Sequence, residues 1–257
     1  PMLVISSVNP HSSIGKGFGL LHELPDQANL LTKIAIHSET LKEANQIVPA
    51  INRAFLEMTK RRPGPVHIDI PIDLMTNIVK ASPISNPNFR SDKFPVPRKK
   101  INQIFNNLKT ASNLIILLGG GSIKAHRELQ KLTDLLDCLF VSTINARGII
   151  GRHQLSVPAS PSLKPIRQAL EKADMVLAIG TEFGQTDYNM NNEFGPLNFK
   201  NLIRVDVCKD QLLKGPKAKL NLCMDSKIFC DALIKKIQNS DFGILKGDKA
   251  AKDATKL

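Results

Sequence analysis

Between residues 99 and 240 the sequence sets down short runs that are apolar at nearly every position. They are Leu114–Leu118, Leu139–Ser142, Met175–Ile179 and Leu202–Val207, with a shorter one at Leu220–Met224. A strand with no polar face cannot lie on the surface of a sheet, so each run must be covered on both sides. The stretches between them carry helical periodicity. Ile101, Ile104, Phe105 and Leu108 form one stripe, and helices are expected over about 123–136, 165–172 and 226–237. Buried strands alternating with amphipathic helices predict the α/β class, with a central Rossmann-like parallel sheet and helices on both faces.

Residues 1–81 read as a smaller α/β piece. Met2–Ser7 is strand-sized and apolar, Asn9–Leu21 is a loop rich in Gly and Ser, and Thr32–Ile36 is a second short strand. A helix is expected over Leu41–Thr59, where Ile47, Ile51, Ala54, Phe55 and Met58 share one face. Arg62-Pro63-Gly64-Pro65 must stop it, and Val66–Ile70 then alternates as a strand. Pro83, Pro87, Pro95 and Pro97, spaced by polar residues, mark 82–98 as a linker between domains. Residues 241–257, rich in Lys, Asp and Ala, read as a flexible tail. Pro1-Met2-Leu3-Val4-Ile5 already lies inside what reads as a buried strand, and we expect the chain to be a fragment.

The 257 residues carry 35 Lys and Arg against 23 Asp and Glu, a formal charge of +12. Eleven of the lysines fall after residue 208, with no Arg among them and few aromatics to interleave; the whole chain has no Trp and one Tyr. Nucleic-acid binding wants Arg, stacking rings and a continuous basic stripe, so solvated surface lysine is the better account. No apolar run approaches the ~18 residues of a membrane span. Cys138, Cys208, Cys223 and Cys230 show neither a CxxC pair nor zinc spacing, and no signal peptide opens the chain. A reducing, cytoplasmic setting is expected.

Several motifs invite chemistry. Gly119-Gly120-Gly121-Ser122 sits between a strand and a helix, where dinucleotide folds bind phosphate, yet Lys124 stands in the third glycine's place and no acid ends the next strand. Tight turning and close packing explain these glycines better than NAD does. Gly15-Lys16-Gly17-Phe18-Gly19 lacks the hydroxyl that a Walker loop needs after its Lys. His22, Glu23, Asp26 and Gln27 crowd into six residues beside it. Two readings fit: a ligand-facing polar cluster, or an exposed helix start with Asp26 as its N-cap. At the carboxyl ends of the later strands, where open parallel sheets place their ligand crevice, Gly120, Gly121, Thr181, Glu182 and Asp206 are candidates to face a ligand. Asp206 serves equally well as a cap for its own turn.

Taken together, these segments resemble thiamine-diphosphate-dependent enzymes, and acetolactate synthase and related 2-oxo acid decarboxylases in particular. The resemblance rests on Pro1–Ile5, the loop to Leu24, Arg62–Pro71 (ArgProGlyProValHisIleAspIlePro), Asp73, Gly119–Gly121, Arg147-Gly148, the segment Ala173–Gly180 and Ile203–Val207. It implies that residues 1–81 form the C-terminal half of a pyrimidine-binding domain and 99–240 the central domain. It implies thiamine diphosphate and Mg2+ in the full-length enzyme, a small 2-oxo acid as substrate and a homodimer or homotetramer. It also implies that no catalytic residue lies in this chain, since the family's activating glutamate lies upstream and its magnesium ligands downstream. A chain of this kind is expected to be inactive alone. His22 falls roughly where acetolactate synthases carry the Gln of a Phe-Gln-Glu motif.

Gly180-Thr181-Glu182-Phe183-Gly184-Gln185-Thr186-Asp187-Tyr188 is similar to the 5-guanidino-2-oxopentanoate decarboxylase branch. FAD-holding synthases carry an Arg where Glu182 stands, and the exchange turns attraction for phosphate into repulsion; Leu155–Ser160 likewise replaces a loop that contacts FAD. FAD is therefore not expected. His22, Glu23, Asp26 and Gln27 are the substrate-binding candidates, the carboxylates suiting a guanidinium. An acetolactate-synthase-like carboligase is the first alternative. A non-catalytic Rossmann-type nucleotide-binding or interaction module is the second.

Overall fold

The computed structural model describes residues 1–59, 62–79, 95–157, 159–189 and 195–240. Most of the expected linker and the whole expected tail lie outside them. The chain divides into two compact units, Pro1–Lys93 and Phe94–Leu257.

The first unit contains β1 (Met2–Val8), α1 (Gln27–Leu31), β2 (His37–Thr40), α2 (Ile47–Thr59) and β3 (Pro65–Pro71). The three strands form a parallel sheet in the order β1-β3-β2. The central strand buries Val66 and Ile68 against Ala50, Ala54 and Met58 of α2, with Leu41, Ala44 and Leu74 completing this core. Three expectations need correction. The second strand lies at His37–Thr40 rather than Thr32–Ile36, because pairing with β3 fixes it there (His37 opposite Val66) despite its polar sequence. α2 begins at Ile47, after a 3-10 turn at Ala44–Gln46. Pro49 has no N–H, so the α-helical ladder cannot extend upstream through it. β1 is not a buried strand: among the described residues it pairs only with β3, and Met2 and Ile5 are 59% and 53% exposed.

The second unit continues with α3 (Arg98–Thr110), β4 (Leu114–Leu118), α4 (His126–Leu135), β5 (Leu139–Ser142), β6 (Ser156–Val157) and α5 (Lys164–Lys172). Then follow β7 (Met175–Ile179), α6 (Gln185–Tyr188), β8 (Leu202–Asp206), α7 (Lys209–Leu212), β9 (Leu220–Cys223) and α8 (Ser226–Gln238). All six strands are parallel, in the order β6-β5-β4-β7-β8-β9. This is the doubly wound Rossmann-like arrangement expected, with its reversal of direction between β4 and β7.

Strand alternation sorts the core into two layers. Ile116, Leu118, Leu177, Ile179, Ile203 and Val205 pack with α3, α4 and α8. Ile115, Leu117, Val176, Ala178 and Leu202 pack with Ile166 and Leu170 of α5. Each Leu, Ile or Val among them contributes roughly 1.5–3 kcal/mol on burial, which is why these strands tolerate no polar face. The helix expected from Ile123 is wound as a 3-10 turn over Gly120–Ala125 and becomes α-helical only at His126.

Candidate functional site

In the first unit the polar loop before α1 is organised by Glu23. Its Oε1 accepts the backbone N–H groups of Gly17 (2.9 Å) and Phe18 (3.3 Å), and its Oε2 that of Leu20 (2.9 Å). These bonds, Leu20's foremost, hold the Glu23 carboxyl below the usual carboxylate range. The loop turns by left-handed backbone at Gly15, Gly17 and Gly19, and also at His22, where φ is 59° and a side chain is present. His22 is exposed. Asp26 caps α1, accepting the N–H of Asn29 at 3.0 Å. Gln27 turns inward: its amide donates to Asp69 Oδ1 at 2.6 Å and to Ser6 Oγ at 3.0 Å. Glu23 and Asp26 are thus used on backbone, Gln27 on the sheet, and His22 faces solvent.

Beneath α1 lies a buried polar group that sequence reasoning passed over. His67 and Asp69, two residues apart on β3 and so on one face, are 2% and 0% exposed. Ser6 Oγ donates to Asp69 Oδ1 at 2.5 Å and lies 2.7 Å from His67 Nε2. With its only hydrogen given to Asp69, Ser6 must accept from His67, which places a proton on Nε2. That nitrogen also lies 3.0 Å from Asp69 Oδ1, while Nδ1 faces Ser38 Oγ at 2.9 Å. Asp69 is a fully buried carboxyl group met by donors from Ser6, Gln27 and Thr40. The available signal was the polar pair within Val66–Ile70, which reads as a solvent face unless its cover is known.

In the second unit, at the reversal between β4 and β7, the two turns touch backbone to backbone. Gly119 N–H donates to Ile179 O (2.9 Å), Gly121 N–H to Gly180 O (3.0 Å) and Gly180 N–H to Val205 O (2.8 Å). A Cβ on Gly121 would meet Gly180 Cα at 3.0 Å, and one on Gly120 would meet Asn145 Cβ at 3.0 Å. Two donors that a dinucleotide fold aims at phosphate are therefore already engaged: Gly121 N–H on the neighbouring turn, and Ser122 N–H on Gly119 O of its own turn at 2.9 Å.

Of the other crevice candidates, Thr181 is buried with its hydroxyl 2.7 Å from that of Tyr188, and burial pushes the Tyr188 phenol up. The Glu182 side chain is exposed, and its carbonyl accepts from Gln211 at 2.8 Å. Asp206 accepts the N–H of Cys208 at 2.8 Å, closing its own turn.

Phe183, at φ 59°, stacks on Tyr188 and covers the buried guanidinium of Arg204, 4.9 Å from the ring centroid. Arg204 donates to the carbonyls of Lys214 and Gln211, and its Nε finds no acceptor among the described residues. Burial lowers its pKa, against the opposing charge of Asp206. A cavity of about 420 Å³ beside Phe183 is lined by Arg167, Tyr188, Leu197 and Pro216 among others; Arg167 itself bonds the carbonyls of Tyr188 and Gly195.

A doubly wound parallel sheet, with its glycine turns meeting at the reversal of strand order, defines a Rossmann-like module. The model of the thiamine pyrophosphate enzyme central domain matches residues 101–233, and the chain belongs to that family. The chain is 34% identical over 209 residues to the probable 2-ketoarginine decarboxylase AruI of Pseudomonas aeruginosa, covering 80% of this chain and 37% of the relative. It is 26% identical over 273 residues to a probable acetolactate synthase large subunit of Methanococcus aeolicus, covering 98% and 43%. With the isozyme 1 large subunit of Escherichia coli acetolactate synthase, identity is 24% over 233 residues, covering 88% and 40%. The chain thus spans about two fifths of the length of these relatives.

Among the described residues no group of three or more His, Cys, Asp and Glu side chains is placed to hold a metal ion. These residues do not by themselves fit a magnesium-bound diphosphate. No helix among them is long and apolar enough to cross a membrane.

Proposed function

We propose that this chain works within a thiamine-diphosphate- and Mg2+-dependent 2-oxo acid decarboxylase, with 5-guanidino-2-oxopentanoate as substrate. Its first unit would be part of the pyrimidine-binding domain and its second the central domain. The observation that carries the substrate is the 34% identity to a relative named as a 2-ketoarginine decarboxylase, against 26% and 24% for the two acetolactate synthase subunits. The cofactor is that of the family, and the bond-breaking chemistry is the cofactor's own.

The part we assign to this chain is the loop Gly15–Gln27. Glu23 holds the loop closed on itself, and Asp26 fixes the start of α1. The segment thereby offers His22 on a formed surface beside two carboxylates. A guanidinium brought to that surface would gain charge-assisted hydrogen bonds from oxygens still open to solvent. The 257 residues alone are expected to release no carbon dioxide, since the resemblance implies that the family's activating glutamate and magnesium ligands lie outside them.

The test is carbon dioxide release by the complete product of the gene that encodes this chain, given thiamine diphosphate and Mg2+. We expect 5-guanidino-2-oxopentanoate to be preferred over pyruvate, with Glu23→Gln and Asp26→Asn raising KM for the former. Preference for pyruvate with acetolactate as product would replace this reading by the carboligase.

A further inference from the structure

α1 is an unusual surface helix, five residues long with none of them buried; Leu30 is 62% exposed. Apolar packing, which fastens most helices to their sheets, gives it little hold. What reaches from it into the sheet is the Gln27 amide. The Nε2 group lies 2.6 Å from Asp69 Oδ1, 3.0 Å from Ser6 Oγ and 3.4 Å from the Ser7 carbonyl. The Asp69 contact joins a neutral donor to a buried carboxylate, the stronger kind of hydrogen bond.

The receiving side is fixed. Ser6 from β1 donates to the same Asp69 oxygen, and Thr40 from β2 lies 3.4 Å from the other. His67, the titratable group facing Asp69, is clamped between Ser6 and Ser38. All three strands therefore fix Asp69, and among its described hydrogen-bond partners Gln27 is the one that comes from outside the sheet. Upstream, the loop is closed by Glu23 on its own amides and runs directly into α1 through the Asp26 cap.

From this we propose that Asp69 is a positioning residue for the segment 15–31, acting through Gln27 as a polar latch. Releasing the latch frees the segment while the sheet stays folded. The proposal rests on the reading above only in giving that segment a substrate to meet; the latch itself is a property of this chain.

Hydrogen exchange on the 257-residue protein tests it, expressed as protection factors so that the intrinsic pH dependence drops out. Gln27→Ala should lower protection of the Leu30, Thr32 and Ala35 amides by about tenfold or more, as expected for loss of a short buried hydrogen bond to a carboxyl group. The β3 amides should stay unchanged. Gln27→Glu sets a second carboxylate against Asp69, and two such groups so close share one proton. At about pH 8 it should behave as Gln27→Ala, and protection should return as the pH falls towards about 5. A purely structural loss would show no such recovery.

Protection within about twofold of wild type in Gln27→Ala would overturn the latch, as would a Gln27→Glu variant indifferent to pH. The substrate reading fails separately, through the oxo-acid preference of the complete enzyme.

Discussion

Gly119 and Gly180 approach so closely that a Cβ on Gly119 would lie 2.2 Å from the Gly180 carbonyl oxygen. The obstructing atoms are backbone, which cannot rotate away as a side chain can. Gly119→Ala should therefore unfold the second unit or cost it about 3 kcal/mol or more, the upper range of overpacking. Gly184→Ala, where nothing lies within 4 Å of the added carbon, should stay within about 0.5 kcal/mol of wild type. Denaturant melts of the two variants make the comparison.

Glu23 gives a pH dependence with a definite sign. Its folded pKa lies below the ordinary 4.5, so its contribution to loop order is complete above that value. The contribution is lost as pH falls through the lower, folded value. Protection factors of the Gly17, Phe18 and Leu20 amides should thus hold steady from neutrality to about pH 5 and collapse only in stronger acid. In Glu23→Gln they should be low throughout.

Arg204 is a charge placed in the core of the second unit, 1% exposed, holding two backbone carbonyls and lying under Phe183. Arg204→Leu would take the side-chain donor from the Lys214 carbonyl and leave the Gln211 carbonyl with backbone N–H groups alone. A loss of about 2–4 kcal/mol is expected in chemical denaturation. Arg204→Lys should recover little of it, since an ammonium cannot serve both carbonyls in the plane that stacks on the ring.

Leu117 sits in the middle of β4, fully buried in the layer under α5. Leu117→Ala should cost about 2–5 kcal/mol by leaving a cavity that the central strand cannot collapse to fill. Leu163→Ala, at a position 52% exposed, should change thermal stability little.

The second unit was legible because its strands are apolar on both faces. Leu114–Leu118, Leu139–Ser142 and Met175–Ile179 stand residue for residue where the runs place them. Ser156–Val157, Gln185–Tyr188 and Lys209–Leu212 are too short to build a period, and went unread. His37–Thr40 is polar, and its strand character comes from β3 alone. The N-cap role of Asp26 is local and could be foreseen. The partnership of Gln27 with Asp69, 42 residues apart, could not, because spacing along one chain does not show which side chains converge.

The pairing of β4 with β7 has a kinetic consequence. Leu114 meets Met175, so the innermost strands of the sheet join only after roughly sixty intervening residues have been brought round, at an entropic cost met before any reward. During synthesis β4 must wait, one edge open, for β7 to emerge. The second unit should accordingly be a slow folder, and the interval before that closure is when a nascent chain most needs a chaperone.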